Sequence, residues 1–183
     1  MSSVEGSPFP TPKRHITTHT PTGIATFSTT VSSTPTTHSI PGMLYHEMYT
    51  TTTSPINIQD ESDIKAVKAN EPNESTITFP SPGNTILRYC DWPPGGSAPL
   101  HRHETIDFGI VIHGSVEAIT EDGQTRVLGP GDVLIQRNTM HGWRNVSETE
   151  WARVAFVIQG VEPVRVGDKV MTMDLGAFVK TDD

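Results

Sequence analysis

Gly95-Gly-Ser-Ala-Pro-Leu-His101-Arg-His103-Glu-Thr-Ile-Asp107-Phe-Gly-Ile-Val-Ile-His-Gly114 is the stretch on which the fold turns. It is bounded by glycines, as short strands between tight turns are, and it holds two histidines one residue apart. Side chains alternate faces along a strand, so residues two apart point the same way. His101 and His103 are therefore expected to share a face, with Asp107 joining them if the strand runs on without a bulge. Two imidazoles and a carboxylate converging on one face suit a divalent transition metal.

A second stretch supplies a further ligand: Gly131-Asp-Val-Leu-Ile-Gln-Arg137-Asn138-Thr-Met-His141-Gly-Trp143-Arg-Asn145. Its histidine follows a strand and a turn, and is expected to approach the same point from a neighbouring strand. Around both stretches the sequence predicts strands over Thr85–Trp92, Thr105–Ile112, Ser115–Thr120, Gln124–Leu128, Asp132–Gln136 and Trp151–Gln159. Turn signals separate them, among them Asp122-Gly123 and Gly129-Pro130-Gly131. Short strands at even spacing indicate an all-β sandwich or barrel.

Upstream, residues 1–54 are rich in Thr, Ser and Pro, a composition shared with disordered tails. Ile16, Phe27, Val31, Leu44, Tyr45 and Met48 punctuate it, however, and Thr is at home in strands. Strands are expected over His15–Thr20, Gly23–Thr30 and Met43–Thr53. One short helix is expected to start at Asp60 or Ser62 and stop before Pro72. A last strand is expected at Val170–Met173. This gives an N-terminal arm over 1–74, a barrel over 75–160 and an extension over 161–183.

The chain has 183 residues, the size of one domain with an arm. Its single cysteine, Cys90, excludes an internal disulfide and a Cys-rich zinc site. A formal net charge of −8 without a Lys/Arg cluster argues against nucleic acid as a partner. No apolar run approaches the roughly 20 residues that cross a bilayer, and the first residues lack a basic segment followed by an apolar one. A cytoplasmic protein without a membrane partner is expected.

The two histidine-bearing stretches resemble the two motifs of the cupin family. Gly95, His101, His103, Asp107 and Gly114 match the first motif, and Gly131, His141 and Asn145 match the second. The likeness is closest to small fungal cupins encoded among secondary-metabolite genes. Pro12-Lys-Arg-His-Ile-Thr-Thr-His19, Asp91-Trp-Pro-Pro-Gly95 and Trp151-Ala-Arg-Val-Ala-Phe156 extend it over nearly the whole chain. The resemblance implies a double-stranded β-helix, or jelly-roll barrel, with an N-terminal strand arm and at most one short helix. It also implies homodimers joined through sheet edges and swapped N-terminal strands. Two departures stand out: Asp107 replaces the usual Glu, and Arg137-Asn138 replaces a Pro and Gly turn. Asn tolerates a left-handed backbone, so the turn can form. The shorter Asp107 leaves two roles open, a fourth ligand or a proton-transfer group beside the metal.

Three imidazoles with a weak or absent carboxylate leave open coordination positions, as catalytic metals need. The cofactor expected is one divalent metal ion (Zn, Fe, Mn, Ni or Cu), held by His101, His103, His141 and, in the first role, Asp107. Asp107 and Glu104 are the candidate proton-transfer groups. Arg88, Tyr89, Phe108, Arg137 and Trp143 are candidate substrate contacts, although only one of Arg88 and Tyr89 can face inward. Phe108, Ile110, Ile112, Val133, Ile135, Val154 and Phe156 are expected to wall the interior. The function expected is that of a metal-dependent lyase or isomerase acting by dehydration, enolisation, cyclisation or decarboxylation. The polyketide-like class of its small-molecule substrate comes from the resemblance. An Fe(II) dioxygenase and a non-catalytic small-molecule-binding cupin are the alternatives.

Overall fold

The computed structural model describes residues 6–69 and 77–176. A hairpin of β1 (Thr17–His19) and β2 (Ala25–Phe27) comes first, followed by β3 (Thr37–Ile40) and β4 (Met43–Thr50). A 3-10 turn over Gln59–Glu61 leads into the helix α1 (Ser62–Ala69). Then follow β5 (Thr85–Trp92), β6 (Ser97–His101), β7 (Thr105–His113), β8 (Val116–Thr120) and β9 (Thr125–Leu128). The series continues with β10 (Val133–Arg137), β11 (His141–Asn145), β12 (Ala152–Gly160), β13 (Arg165–Val166) and β14 (Lys169–Val170).

Two sheets carry the fold. One has six strands in the order β10-β7-β12-β5-β4-β3, the other four in the order β6-β11-β8-β9. Tyr45, Cys90, Trp92, Val111, Val154 and Phe156 of the larger sheet meet Ala98, Val116, Ala118, Leu128 and Trp143 of the smaller one in a single core. Gly109 makes room there: a Cβ at this position would lie 2.9 Å from the Phe156 ring and 3.4 Å from Trp143. Cys90 is a buried free thiol within this core.

Most expected strands form where the sequence places them, and β5 does so residue for residue. The arm is less strand-like than expected: β1 and β2 are three residues each. Its attachment is nonetheless specific. The Arg14 guanidinium donates to the carbonyls of Ser32, Glu47 and Met48, and the Pro10 carbonyl accepts from Arg153. The division at 74/75 lies outside the described residues, yet β3 and β4 belong to the same sheet as β5, so the arm and barrel share one structure. The helix buries Ile64 and Val67 and ends at Ala69; Pro72, its expected stop, lies outside the described residues. The strand expected at Val170–Met173 is reduced to Lys169–Val170.

Strand alternation corrects the expected wall of the interior. On β7, Thr105, Asp107, Gly109 and Val111 are buried, so the intervening Phe108, Ile110 and Ile112 take the opposite face. Ile112 is 45% exposed. On β10 the buried Gln136 sets the inner face, and Val133 and Ile135 point outward at 53% and 54% exposure. Val154 and Phe156 do line the core.

Candidate metal centre

Two of the three histidines come from the ends of neighbouring strands, and the third from a connection. β11 lies between β6 and β8, and its register sets His141 directly opposite His101. The strand holding His101 does not run on to His103, as simple alternation would have it. It ends at His101, and His103 sits in the connection to β7. A clamp from the far end of the chain shapes that connection. Arg102 and Asp174 exchange both backbone hydrogen bonds, at 2.6 and 2.8 Å, and the Met173 N–H donates to Glu104 Oε1 at 3.0 Å. Asn138, with φ +52°, reaches across from the β10–β11 turn and donates its side-chain amide to the His103 carbonyl at 2.9 Å.

The result is a compact, buried triad. His101, His103 and His141 are 6%, 4% and 4% exposed. One ring nitrogen from each lies within 4.8 Å of the others. Ring centroids are 4.3 Å apart for His101–His141, 5.3 Å for His101–His103 and 5.2 Å for His103–His141.

Hydrogen bonds to the outer nitrogens show that this set fits a metal ion. His101 Nδ1–H donates to the Pro99 carbonyl and His141 Nδ1–H to the Thr139 carbonyl, each at 2.8 Å. His103 Nδ1 bonds the Thr105 hydroxyl, which itself donates to Asp107 Oδ1 at 2.6 Å. A hydroxyl has one proton, so Nδ1 must supply the proton of the first bond. In all three rings Nε2 is thus the nitrogen carrying the lone pair, the arrangement that metal-binding histidines adopt. Burial lowers all three pKa values, that of His103 to about 2 and that of His141 to about 3, with neighbouring imidazoles adding to the effect at His103 and His141. The rings are neutral, as ligands must be.

Asp107 stands beside this group. Its Oδ2 is 3.5 Å from His103 Nε2, but its carboxylate is not among the mutually close ligand atoms. Burial pushes its pKa up to about 7, with the Thr105 hydrogen bond and the Arg88 charge opposing. Arg88 is the inward member of its pair: 1% exposed, it lines the cavity, pairs with Glu47 at 2.8 Å and donates to the Thr78 carbonyl at 2.7 Å. Phe79 stacks on His103 with centroids 4.1 Å apart. Trp143 also lines the cavity, packed edge-on against Phe156.

Four expected site residues lie elsewhere. Tyr89 takes the opposite face of β5, with the Arg153 guanidinium 5.9 Å from its ring. Phe108 alternates out, as above, and the exposed Arg137 follows the outward face of β10. Glu104 turns to the C-terminal segment through Met173. Sequence reasoning passed over Phe79, Thr105 and Gln136. Gln136 is directly opposite Asp107 in the β10–β7 register and lines the cavity.

The sequence signature described as Cupin domain matches residues 88–158. A relative named Cupin-domain-containing oxidoreductase fogC, from Aspergillus ruber, is 31% identical over 91% of this chain and 81% of its own length. The chain belongs to the cupin family. Two further relatives are similar to this cupin over most of its length. Phomopsin biosynthesis cluster protein C' of Diaporthe leptostromiformis is 36% identical, covering 88% of the chain and 85% of the relative. Oryzines biosynthesis cluster protein J of Aspergillus oryzae is 34% identical, covering 96% and 98%. Among the described residues of this cupin, no helix is long and apolar enough to cross a membrane.

Proposed function

We propose that this cupin is a metal-dependent lyase or isomerase of secondary metabolism that moves a proton on a carbonyl-bearing, polyketide-like small molecule. The observation that carries this reading is the place of Asp107. Its carboxyl lies 3.5 Å from a ligand-type imidazole, inside an apolar cavity, yet stands outside the group of three ligand nitrogens. A carboxyl so placed is within reach of a substrate proton, while one bound as a ligand would not be available to take it. The names of the relatives, which refer to phomopsin and oryzines biosynthesis clusters, support the setting.

His101, His103 and His141 would hold one divalent ion of Zn, Fe, Mn, Ni or Cu, all of which accept imidazole. When bound, the ion supplies a Lewis acid that polarises a substrate oxygen. Asp107 takes and returns the proton on the adjacent carbon, and Thr105 orients its carboxyl through the 2.6 Å bond to Oδ1. Arg88, fixed by Glu47 and the Thr78 carbonyl, adds positive charge to the same cavity. The Trp143, Phe156 and Ile158 side chains exclude water.

A second reading, an Fe(II) oxidoreductase, draws on the printed name of the Aspergillus ruber relative. One experiment separates the two. Gene deletion identifies the intermediate that accumulates, and purified protein of known metal content is then given that compound with and without oxygen. Anaerobic turnover with uptake of solvent deuterium supports proton transfer. Oxygen consumed in step with turnover supports the oxidoreductase. Pathway output unchanged by His101→Ala would reduce the protein to a non-catalytic binder.

The arm also supports assembly into a homodimer. Ile24 and Phe27 on the β1–β2 hairpin are 66% and 68% exposed, which leaves two large apolar side chains for a second copy to cover.

A further inference from the structure

The two sheets are not closed by hydrogen bonds on every side. β9 pairs with β8 alone and β10 with β7 alone, so each ends its sheet, and among the described residues no ladder joins them. A lateral cavity of about 360 Å³ opens along this seam. By strand alternation Ala118, Arg126 and Leu134 face into it, and its inner end is formed by Gln136 and His141. The same two residues also wall the three-histidine cavity.

The size of each space matters. The three-histidine cavity has a volume of about 50 Å³, far smaller than the lateral one. Sites for small organic ligands run from about 300 Å³ upward, and the lateral cavity meets that. The lateral cavity, which shares Gln136 and His141 with the three-histidine cavity, has room for the bulk of a molecule larger than a few atoms.

Unpaired polar atoms mark the inner end. Gln136 is 5% exposed, and neither Nε2 nor Oε1 has a hydrogen-bond partner. Arg88 Nε and Trp92 Nε1, from two further residues of the three-histidine cavity, are also unpaired. Native proteins rarely leave buried polar groups without partners unless a ligand or water supplies them. The set contains three donor nitrogens, that of Gln136 with two N–H groups, and one acceptor oxygen, which suits an oxygen-rich group.

We propose that the substrate is an amphipathic carboxylic acid lying across both cavities. Its oxygen-bearing end sits in the three-histidine cavity, hydrogen-bonded by Gln136, and its chain lies in the lateral cavity between β9 and β10. This rests on the proposed function only for the placing of the reactive end by the histidines. Gln136 is a binding residue at the junction, and Ala118 and Leu134 supply the apolar walls of the chain site.

Propanoate and octanoate test this by isothermal titration calorimetry on the full-length protein, with metal content measured in parallel. Octanoate is expected to bind at least tenfold more tightly than propanoate. Gln136→Leu is expected to weaken both at least fivefold. Leu134→Trp, which fills the seam, is expected to abolish the octanoate advantage and leave propanoate within twofold. Thr120→Trp at the same cavity serves if the first variant does not fold. Arg126→Glu is expected to change octanoate affinity less than threefold, because the acid end lies inside. Equal affinities, no binding of either acid, or loss in Arg126→Glu with none in Gln136→Leu would overturn the proposal. Protein that lacks metal or consumes oxygen, yet shows the expected pattern, overturns the proton-transfer reading and leaves this one standing.

Discussion

Thr105 and Asp107 are joined by a 2.6 Å hydrogen bond in which the hydroxyl donates to Oδ1, and this bond settles the tautomer of His103. With its one proton committed, the hydroxyl can only accept from His103 Nδ1. Thr105→Val removes both contacts at nearly constant volume. Metal affinity, measured by competition with a chromogenic chelator, is expected to fall about 10- to 100-fold, as for other residues that orient a ligand. Thr105→Ser should restore most of it. A Val variant that binds metal as the wild type does would show that the ring is oriented by other means.

Removal of a ligand itself should act on stoichiometry. His101→Ala and His141→Ala leave two imidazoles, so bound metal per chain is expected to drop from about one to near zero after dialysis, since catalytic sites rest on three protein ligands. Elemental analysis gives the number. The wild type should also lose thermal stability on chelation, whereas the variants should not, because binding to the folded form alone is stabilising.

The fold depends on a charge pair on the outer face of the larger sheet. Arg153 holds Asp91 with two bonds of 2.6 Å, and Asp91 is fully buried. Burial raises the Asp91 pKa, but the hydrogen bonds and charge of Arg153, with smaller contributions from His46 and Ser7, outweigh it and bring the value down to about 2. A depressed carboxylate stabilises the fold at pH above its ordinary value and ceases to as the pH falls through its folded value. The contribution should therefore be complete above about pH 4 and fade towards about pH 2. Asp91→Asn leaves a buried guanidinium uncompensated and is expected to cost about 3–5 kcal/mol near neutrality. In urea titrations its deficit against the wild type should shrink in acid; a constant deficit would place the loss outside the ion pair.

The hairpin offers a prediction about assembly. Phe27→Asp sets a charge where 68% of a phenylalanine is exposed. If a second copy covers that ring, sedimentation should show the variant as a monomer at concentrations where the wild type is a dimer. A wild-type protein that sediments as a monomer throughout would remove the case for pairing.

The sequence was most legible where turn signals and motif spacing agree. The turns that bound Thr85–Trp92 and the paired histidine stretches pointed to the barrel and to the three histidines that it brings together. It was least legible where strands look like loops. Ser97–His101 contains Pro99, tolerated because β6 lies at a sheet edge, and His141–Asn145 is short and polar. On β10 the run Val133-Leu134-Ile135 is apolar at every position, so nothing in it tells the inner face from the outer. Only the pairing with β7 shows that Gln136 follows Asp107 inward, carrying Val133, Ile135 and Arg137 outward. Asp107 and Phe108 are adjacent on one strand and could not both have faced the cavity.

The clamp of Arg102 and Glu104 by residues 173–174 gives the end of the chain a bearing on the metal site. A polypeptide terminated before Met173 would retain every strand of the two large sheets and all three histidines. It would lack the partners that set the connection between β6 and β7, where His103 is carried. Loss of this segment should thus show as leakage of metal from a protein whose circular dichroism is unchanged, making metal retention a readout of whether residues 173–174 are in place.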